Sequence, residues 1–317
     1  NCTVTACGNG IITTGEVCDD SNLDDDDGCD SNCTVTACGN GIMTSGEECD
    51  DGNLDNGDGC TATCVISICG DDNLDPDERC DDGNLDNGDG CEDDCTITLP
   101  DVLYYTFEGT GTTVPNLASS PPTGTENASI LGGVTQGGTD GVCMSGALIG
   151  SGNSSTTDTL NTNWAPDLGT ASWTISFRPD DISANSTLYY VFGDGNTNFF
   201  RCFTNGVAGN NNFILRGGGL TDTYANGGAL TTPTMVTFVY DSAVNQTRAY
   251  VNGALVSTVG QGSPNVTGAG PFKVMGYNTN VGAPAGGTID EFRVYRRALT
   301  DAQVADLYEW TNVCPMP

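Results

Sequence analysis

The sequence predicts a mostly β protein in two parts. Residues 1–97 read as a disulfide-rich tandem-repeat stalk, and residues 98–317 as a two-sheet antiparallel β-sandwich with one short C-terminal helix. Three observations carry this. Cysteines recur with a 31-residue period through the first hundred residues. Beyond Val102, short runs of alternating apolar and polar residues are separated by Gly, Asn, Ser and Pro turns. Charge is also divided unevenly: of 42 acidic and 9 basic residues, residues 1–100 hold 26 acids and one base, Arg79.

A net charge of −33 repels nucleic acid and anionic membrane surfaces, so neither is an expected partner. There is no run of about 20 apolar residues that could cross a bilayer. No signal segment is visible, as expected of a secreted chain that has lost one. Thirteen of the 16 cysteines lie in the first 95 residues, a density that fits an oxidising, extracellular or cell-surface location. Sequons at Asn1, Asn32, Asn127, Asn153, Asn185, Asn245 and Asn265 agree with it weakly.

In the repeats, Cys7, Cys38 and Cys69 open the three copies. Cys18, Cys49 and Cys80 follow, then Cys29, Cys60 and Cys91, then Cys33, Cys64 and Cys95. Leu23, Leu54 and Leu85 are the one fixed apolar side chain. Units with so little apolar mass cannot build their own core. Two disulfides per copy would replace it, each worth roughly 3 kcal/mol in the chain-entropy model. Four cysteines allow three connectivities, and the sequence does not choose among them. Stacked units of this kind make a rod.

The acids are the repeats' chemistry. Glu16, Asp19, Asp20, Asn22, Asp24 and Asp27 recur as Glu47, Asp50, Asp51, Asn53, Asp55 and Asp58, and again as Glu78, Asp81, Asp82, Asn84, Asp86 and Asp89. Like charges about 4 Å apart repel by roughly 1 kcal/mol in water and about 4 at an effective dielectric of 20. No base inside the loop answers them, and disulfides keep the loop compact. Calcium, with 6–8 oxygen ligands on a Gly-rich loop, would. These residues are therefore the expected ligands of a structural calcium, the alternative being a solvated acidic loop. The loop is not an EF-hand, because the twelfth residue from Asp51 is Ala62 rather than Glu. Zinc is disfavoured by the lack of histidine.

The segment CGNGIMTSGEECDDGNLDNGDGCTATC (38–64) resembles a cysteine-rich repeat of unknown function found in tandem in secreted and surface proteins. It is more loosely similar to the calcium-binding Lin/Notch repeat. The resemblance covers about residues 1–95 and implies an extracellular, calcium-binding spacer without catalytic activity. The first copy departs at Ser21, Asp25 and Asp26, where the others have Gly, Asn and Gly.

In the second part, ASWTISFR (171–178) places Ala171, Trp173, Ile175 and Phe177 on one face of a strand. Further strands are expected over 187–192, 199–203, 212–216, 235–240, 247–253, 272–276 and 288–295. YVNGALV (250–256) reads as a hairpin with an Asn-Gly turn. Thr300 and Gln303 form a capping box for the closing helix, with Val304, Leu307 and Tyr308 on its apolar face. The segments LYYTFEGTGTTVPNLAS, GVCMSGALIGSGN, SWTISFRPDD, VTFVYDSAVNQTRAYVNGALV and GTIDEFRVYRRALTDAQVADLY make the region (102–310) similar to the laminin-G-like, concanavalin-A-like jelly roll. That resemblance fixes fold better than function, since the fold hosts lectins, adhesion modules and hydrolases.

Catalysis is not expected. A glucanase-type Glu-x-Asp-x-Glu strand is absent, Asp290 and Glu291 are adjacent and so should face opposite ways, and no histidine exists for a nucleophilic triad. Glu108 and Asp290, on the expected first and last long strands, are placed to share a structural calcium. Among Trp164, Trp173 and Trp310, Trp173 alternates with core residues. Trp164, in a Gly/Asn-rich stretch, is the candidate exposed sugar platform. Pairing within copies leaves Cys2, Cys143, Cys202 and Cys314. Cys143 and Cys202 are placed to pair with each other. Cys2 matches the closing cysteine of a repeat and could join Cys314 of another chain head to tail. The expected role is an extracellular or cell-surface structural or adhesive protein. Its partners would be further copies in a filament or other surface proteins. The alternatives are a glycan-binding lectin module and a non-catalytic part of a larger secreted enzyme.

Overall fold

A computed structural model describes residues 6–55, 59–66, 68–70, 78, 80, 81, 83–85, 91–96, 98–139, 141, 145–152, 158–182, 188–204, 212–226, 235–278 and 282–312. Asp58, Asp82, Asp86, Asp89, Cys2, Cys143, Cys314 and the side chain of Trp310 lie outside the described residues. The chain divides into two compact units, Asn1–Thr98 and Leu99–Pro317.

In the first unit the disulfides settle the connectivity. The first cysteine of each copy pairs with the fourth and the second with the third: Cys7–Cys33 and Cys18–Cys29, Cys38–Cys64 and Cys49–Cys60, Cys69–Cys95 and Cys80–Cys91. The buried apolar groups among the described residues are the cystines themselves, with Cys60, Cys64 and Cys91 at 3%, 2% and 1% exposure. Leu23, Leu54 and Leu85 stay more than half exposed. Each closing cysteine sits in the left-handed region (φ 62°, 56° and 56°) and ends a tight turn, its N–H donating to the carbonyl of Asp30, Thr61 or Glu92. The backbone then doubles back, bringing Cys29 opposite Val35 and Cys60 opposite Ile66. Asp30 of the first copy is buried and accepts from the Asp26 N–H, Thr36 and the Asn40 amide of the second. That contact ties adjacent copies together.

The second unit is an antiparallel sandwich. Its strands are β1 (Leu103–Tyr105), β2 (Thr113–Pro115), β3 (Asn127–Leu131), β4 (Thr135–Gly137), β5 (Ala147–Ile149), β6 (Thr159–Asn161), β7 (Asp167–Gly169), β8 (Trp173–Asp180), β9 (Tyr190–Asp194), β10 (Phe200–Thr204), β11 (Asn212–Gly217), β12 (Leu220–Asn226), β13 (Val236–Asp241), β14 (Gln246–Val251), β15 (Ala254–Gly260), β16 (Val266–Thr267), β17 (Lys273–Val274) and β18 (Thr288–Tyr295). Among the described residues one sheet runs β15-β14-β13-β8-β18-β5-β4, with β1 beside β18. The other runs β12-β11-β10-β9-β17-β6-β3-β2. A small pair, β16-β7, stands apart.

The inward faces meet in an aromatic core. Phe177 and Phe292 of the first sheet meet Phe192 of the second at ring separations of 5.7 Å, and Trp173 meets Phe200 at 5.8 Å. Burying each such side chain contributes about 1.5–3 kcal/mol. The predicted Asn-Gly hairpin joins β14 to β15, with Asn252 and Gly253 both at positive φ (51° and 75°) as a type I′ turn requires. Helix α1 (Asp301–Asn312) is capped as predicted. The Thr300 N–H donates to Gln303 Oε1 at 2.8 Å, and the Gln303 N–H donates to Thr300 Oγ1 at 3.2 Å. Val304 and Leu307 pack on Val239, Tyr250, Tyr295 and Leu299, sealing part of the outer face of the first sheet.

Candidate functional sites

Within the repeats, one aspartate per copy is spoken for by the backbone. Asp50 Oδ2 accepts the N–H groups of Gly39 (2.9 Å) and Asn40 (3.2 Å), and Oδ1 those of Gly41 and Gly52 (both 2.8 Å). Those four bonds fill the acceptor capacity of a carboxylate. Asp19 repeats the pattern with Asn9, Gly10 and Ser21, and Asp81 with Gly70 and Gly83. Desolvation raises the Asp50 carboxyl, but the four N–H bonds outweigh it and hold it below the usual range. Glycine is required at the head of this nest. Gly39 lies at φ 80°, and a Cβ there would come within 2.4 Å of the Asn53 carbonyl oxygen. Glu16 and Glu47 cap the neighbouring turn by accepting from Thr13 and Thr44.

The remaining acids stay outside these nests. Asp20 and Asp51 each accept from the N–H two residues on, as do Asn22 and Asn53. Asp24 and Asp55 are exposed. Asp27 accepts from the Asn22 amide and also meets the Asp20 carboxyl at hydrogen-bonding range. Two acids meeting so closely, without a base, fit the oxygen-donor chemistry of calcium. Glu16 with Asp19, Glu47 with Asp50 and Glu78 with Asp81 also lie close together, but the sulfur nearest each pair belongs to a disulfide and offers no thiolate.

In the sandwich, Glu108 and Asp290 reach the same segment. Glu108 Oε2 accepts from the Gly146 N–H at 2.9 Å, and Ser145 Oγ meets Asp290 Oδ2 at 3.4 Å. Asp290 and Glu291 are separated by a β-bulge, with Glu291 at φ 52°, rather than by simple strand alternation. Glu291 instead pairs with buried Arg293 beside Tyr104, whose hydroxyl burial pushes up to about 12.

Two expectations need correction. Trp164 is 1% exposed and cannot be a sugar platform. It packs edge-on against Phe272 at 5.2 Å, and its indole N–H donates to Asp167. Its backbone continues the β6–β17 pairing, the Phe272 N–H donating to the Trp164 carbonyl, which its Gly/Asn-rich surroundings conceal. Cys202 is a free, fully buried thiol facing the core, so the expected disulfide to Cys143 is not formed.

A different face holds the exposed chemistry. On β10, Phe200 and Cys202 enter the core, so Arg201 between them faces out. Register places Arg216 of β11, Arg201 of β10, Gly193 of β9, Lys273 of β17 and Asn161 of β6 on one rung. Against it lie aromatic rings, of which Phe203 and Tyr277 are buried (3% and 6% exposed) and Tyr190 is half-buried. The Arg201 guanidinium lies over Phe203 (5.4 Å) and Tyr277 (5.2 Å), and that of Arg216 over Phe203 (5.2 Å). Tyr190 stacks on Tyr277 at 4.9 Å. Asp222 pairs with Arg216. The sequence separates these residues by up to 116 positions, from Asn161 to Tyr277, and only strand pairing assembles them.

Residues 150–305 match the concanavalin A-like lectin/glucanases superfamily, and residues 1–34 and 30–65 match a domain of unknown function (DUF4215). The second unit is thus a laminin-G-like jelly roll following a disulfide-rich repeat region. No curated protein matches the chain. Among solved structures, the botulinum neurotoxin serotype G binding domain is similar, at TM-score 0.51 and 12% identity over 65% of this chain and 50% of that one. The binding domain of Paraclostridial Mosquitocidal Protein 1 is similar at TM-score 0.50 and 14% identity, over 65% and 51%. The chain spans about half the length of these structures, and at such identities the likeness is one of fold. Both are binding domains. The six disulfides suit an oxidising compartment, and no described helix is long and apolar enough to cross a membrane.

Proposed function

We propose that this is an extracellular adhesive protein in which a glycan-binding jelly roll is carried on disulfide-stapled, calcium-loaded repeats. The observation that carries the reading is the outer face of the second sheet. There, half-buried Tyr190, Arg201, Arg216, Tyr224 and Lys273 combine ring surface with hydrogen-bond donors, the pairing that recognises sugars. Binding-domain relatives of the same fold support it by analogy. In the repeats, calcium is held by Asp20, Asn22, Asp24 and Asp27 and by their counterparts Asp51, Asn53, Asp55 and Asp58, while Asp19, Asp50 and Asp81 shape the backbone. Glu108 and Asp290 are the candidate pair for a further calcium in the sandwich. The metal is structural and drives no reaction. A glycan array probed with the labelled full chain tests the reading. Retention of a defined set of glycans, reduced by Tyr190→Ala, is the expected outcome. Uniform absence of binding, or glycan hydrolysis by a clean preparation, would overturn it.

A further inference from the structure

The outer face of the second sheet carries an imbalance that the fold alone does not require. The chain has 9 basic residues against 42 acids. Three of the nine, Arg216, Arg201 and Lys273, lie on one rung of four adjacent strands. Arg201 and Arg216 are direct cross-strand partners, an arrangement of like charges that destabilises a sheet. Asp222 answers Arg216 and its hydrogen bond holds that guanidinium's charge. Arg201 is not answered by any described acid. Its Nη1 donates to the Phe199 carbonyl, and its Nε is buried without a hydrogen-bond acceptor. Lys273 Nζ donates to the Asn278 carbonyl and likewise faces no carboxylate among the described residues. The nearby Asp194 is turned away, accepting from Thr197, Asn196 and Gly270.

Between Arg201 and Lys273 stands Gly193, at φ 153°. A Cβ there would come within 2.7 Å of both Arg201 Cβ and the Phe200 carbonyl oxygen, so glycine is what lets Arg201 lie close against β9. The Cα atoms of Arg201 and Lys273 stand two strand spacings apart, roughly 9–10 Å, and half-buried Tyr190 lies on the next rung. The geometry points to a subsite for a carboxylate-bearing sugar. In this assignment, which rests on the glycan-binding reading above, the carboxylate bridges Arg201 and Lys273 across β9, and an apolar ring face lies on half-buried Tyr190. Charge complementarity selects the anion: a guanidinium–carboxylate contact satisfies the donor capacity that the protein leaves open. The Tyr190 ring selects a compact ring over an extended acidic peptide.

Titration of the full chain by isothermal calorimetry or ligand-observed NMR tests this, with N-acetylneuraminic acid and digalacturonic acid as acidic probes and lactose as the neutral one. At least one acidic sugar should bind at least tenfold tighter than lactose, and its affinity should fall as salt is added. Arg201→Gln should lower that affinity at least tenfold and Lys273→Gln several-fold, with Lys273→Arg restoring most of it. Arg216→Gln should matter less, because Asp222 already neutralises it. Binding of neutral sugars that ignores both Arg201 and Lys273 would overturn the subsite and leave the glycan-binding reading standing. Absence of all sugar binding would remove both. Concentration-dependent self-association in sedimentation, lost in Arg201→Gln, would instead assign the face to the acidic repeats of another copy and overturn the sugar. If the glutamine variants fail to fold, the salt dependence of the wild-type chain decides.

Discussion

Ser21 occupies the left-handed region at φ 81°, where its counterparts are Gly52 at 86° and Gly83 at 77°. A side chain at that angle costs roughly 1–2 kcal/mol, partly offset by the lower unfolded-state entropy of a non-glycine residue. Ser21→Gly should therefore stabilise the first repeat by about 0.5–1 kcal/mol, and Gly52→Ser should destabilise the second by a similar amount, both read by chemical denaturation with disulfides intact. The neighbouring Asp50 makes a second case. A hydrogen bond to a charged group is worth roughly 1.5–3 kcal/mol, so Asp50→Asn should weaken the second repeat with or without calcium. Asp51→Asn should instead reduce only the calcium-dependent part. Acid should do to Asp19 and Asp50 what the amide does. Their folded-state carboxyls are lowered, so their stabilisation is fully present above the ordinary carboxylate pKa and is lost as pH falls through the folded value. Amide exchange at Gly39–Gly41 followed down from pH 5 should rise in that window; protection unchanged to pH 2 would contradict the nest. From the sequence these aspartates look like metal ligands, because a fixed acid reads the same whether it meets a cation or a ring of N–H groups.

Elements set by neighbours in the chain are legible in the amino-acid sequence alone. The Asn252-Gly253 turn and the Thr300/Gln303 box are each fixed by residues three or fewer apart, and both form as the sequence implies. Strand β8 is legible for the same reason, since its period-2 alternation needs only itself. What the sequence hides is long-range: Trp164 is buried by Phe272, 108 residues on, and the cationic rung joins β11, β10, β9 and β17 by register. The helix offers a direct check. Thr300→Ala should cost about 1 kcal/mol through the cap, and Val304→Ala about 2–4 kcal/mol through the buried face against Val239 and Tyr250. Thermal or urea denaturation of the sandwich should rank them in that order. Equal effects would mean that α1 rests on its cap rather than on the sheet.

At the scale of the whole chain, the two units are held by different physics, and their denaturation should separate accordingly. The sandwich buries Phe177, Phe192, Phe213, Phe272 and Phe292 completely and has no disulfide among its described residues. The repeats bury cystines and leave their fixed leucines in water. Reduction therefore removes the repeats' core and leaves the sandwich's intact. With dithiothreitol, the near-ultraviolet signal of the buried Trp164 and Trp173 should melt at an unchanged temperature, while amide protection in residues 6–66 disappears. Calcium bound as proposed should act on the same unit by mass action, stabilising the folded repeats by about 2.7 kcal/mol at a hundredfold excess over its dissociation constant. Scanning calorimetry of the oxidised chain should then show one transition that moves between calcium and EDTA and one carried by the sandwich core. A monovalent salt that reproduces the shift would reduce the calcium to screening of the −25 charge on residues 1–100. A reductant that shifts both transitions together would mean that the repeats and the jelly roll fold as one body.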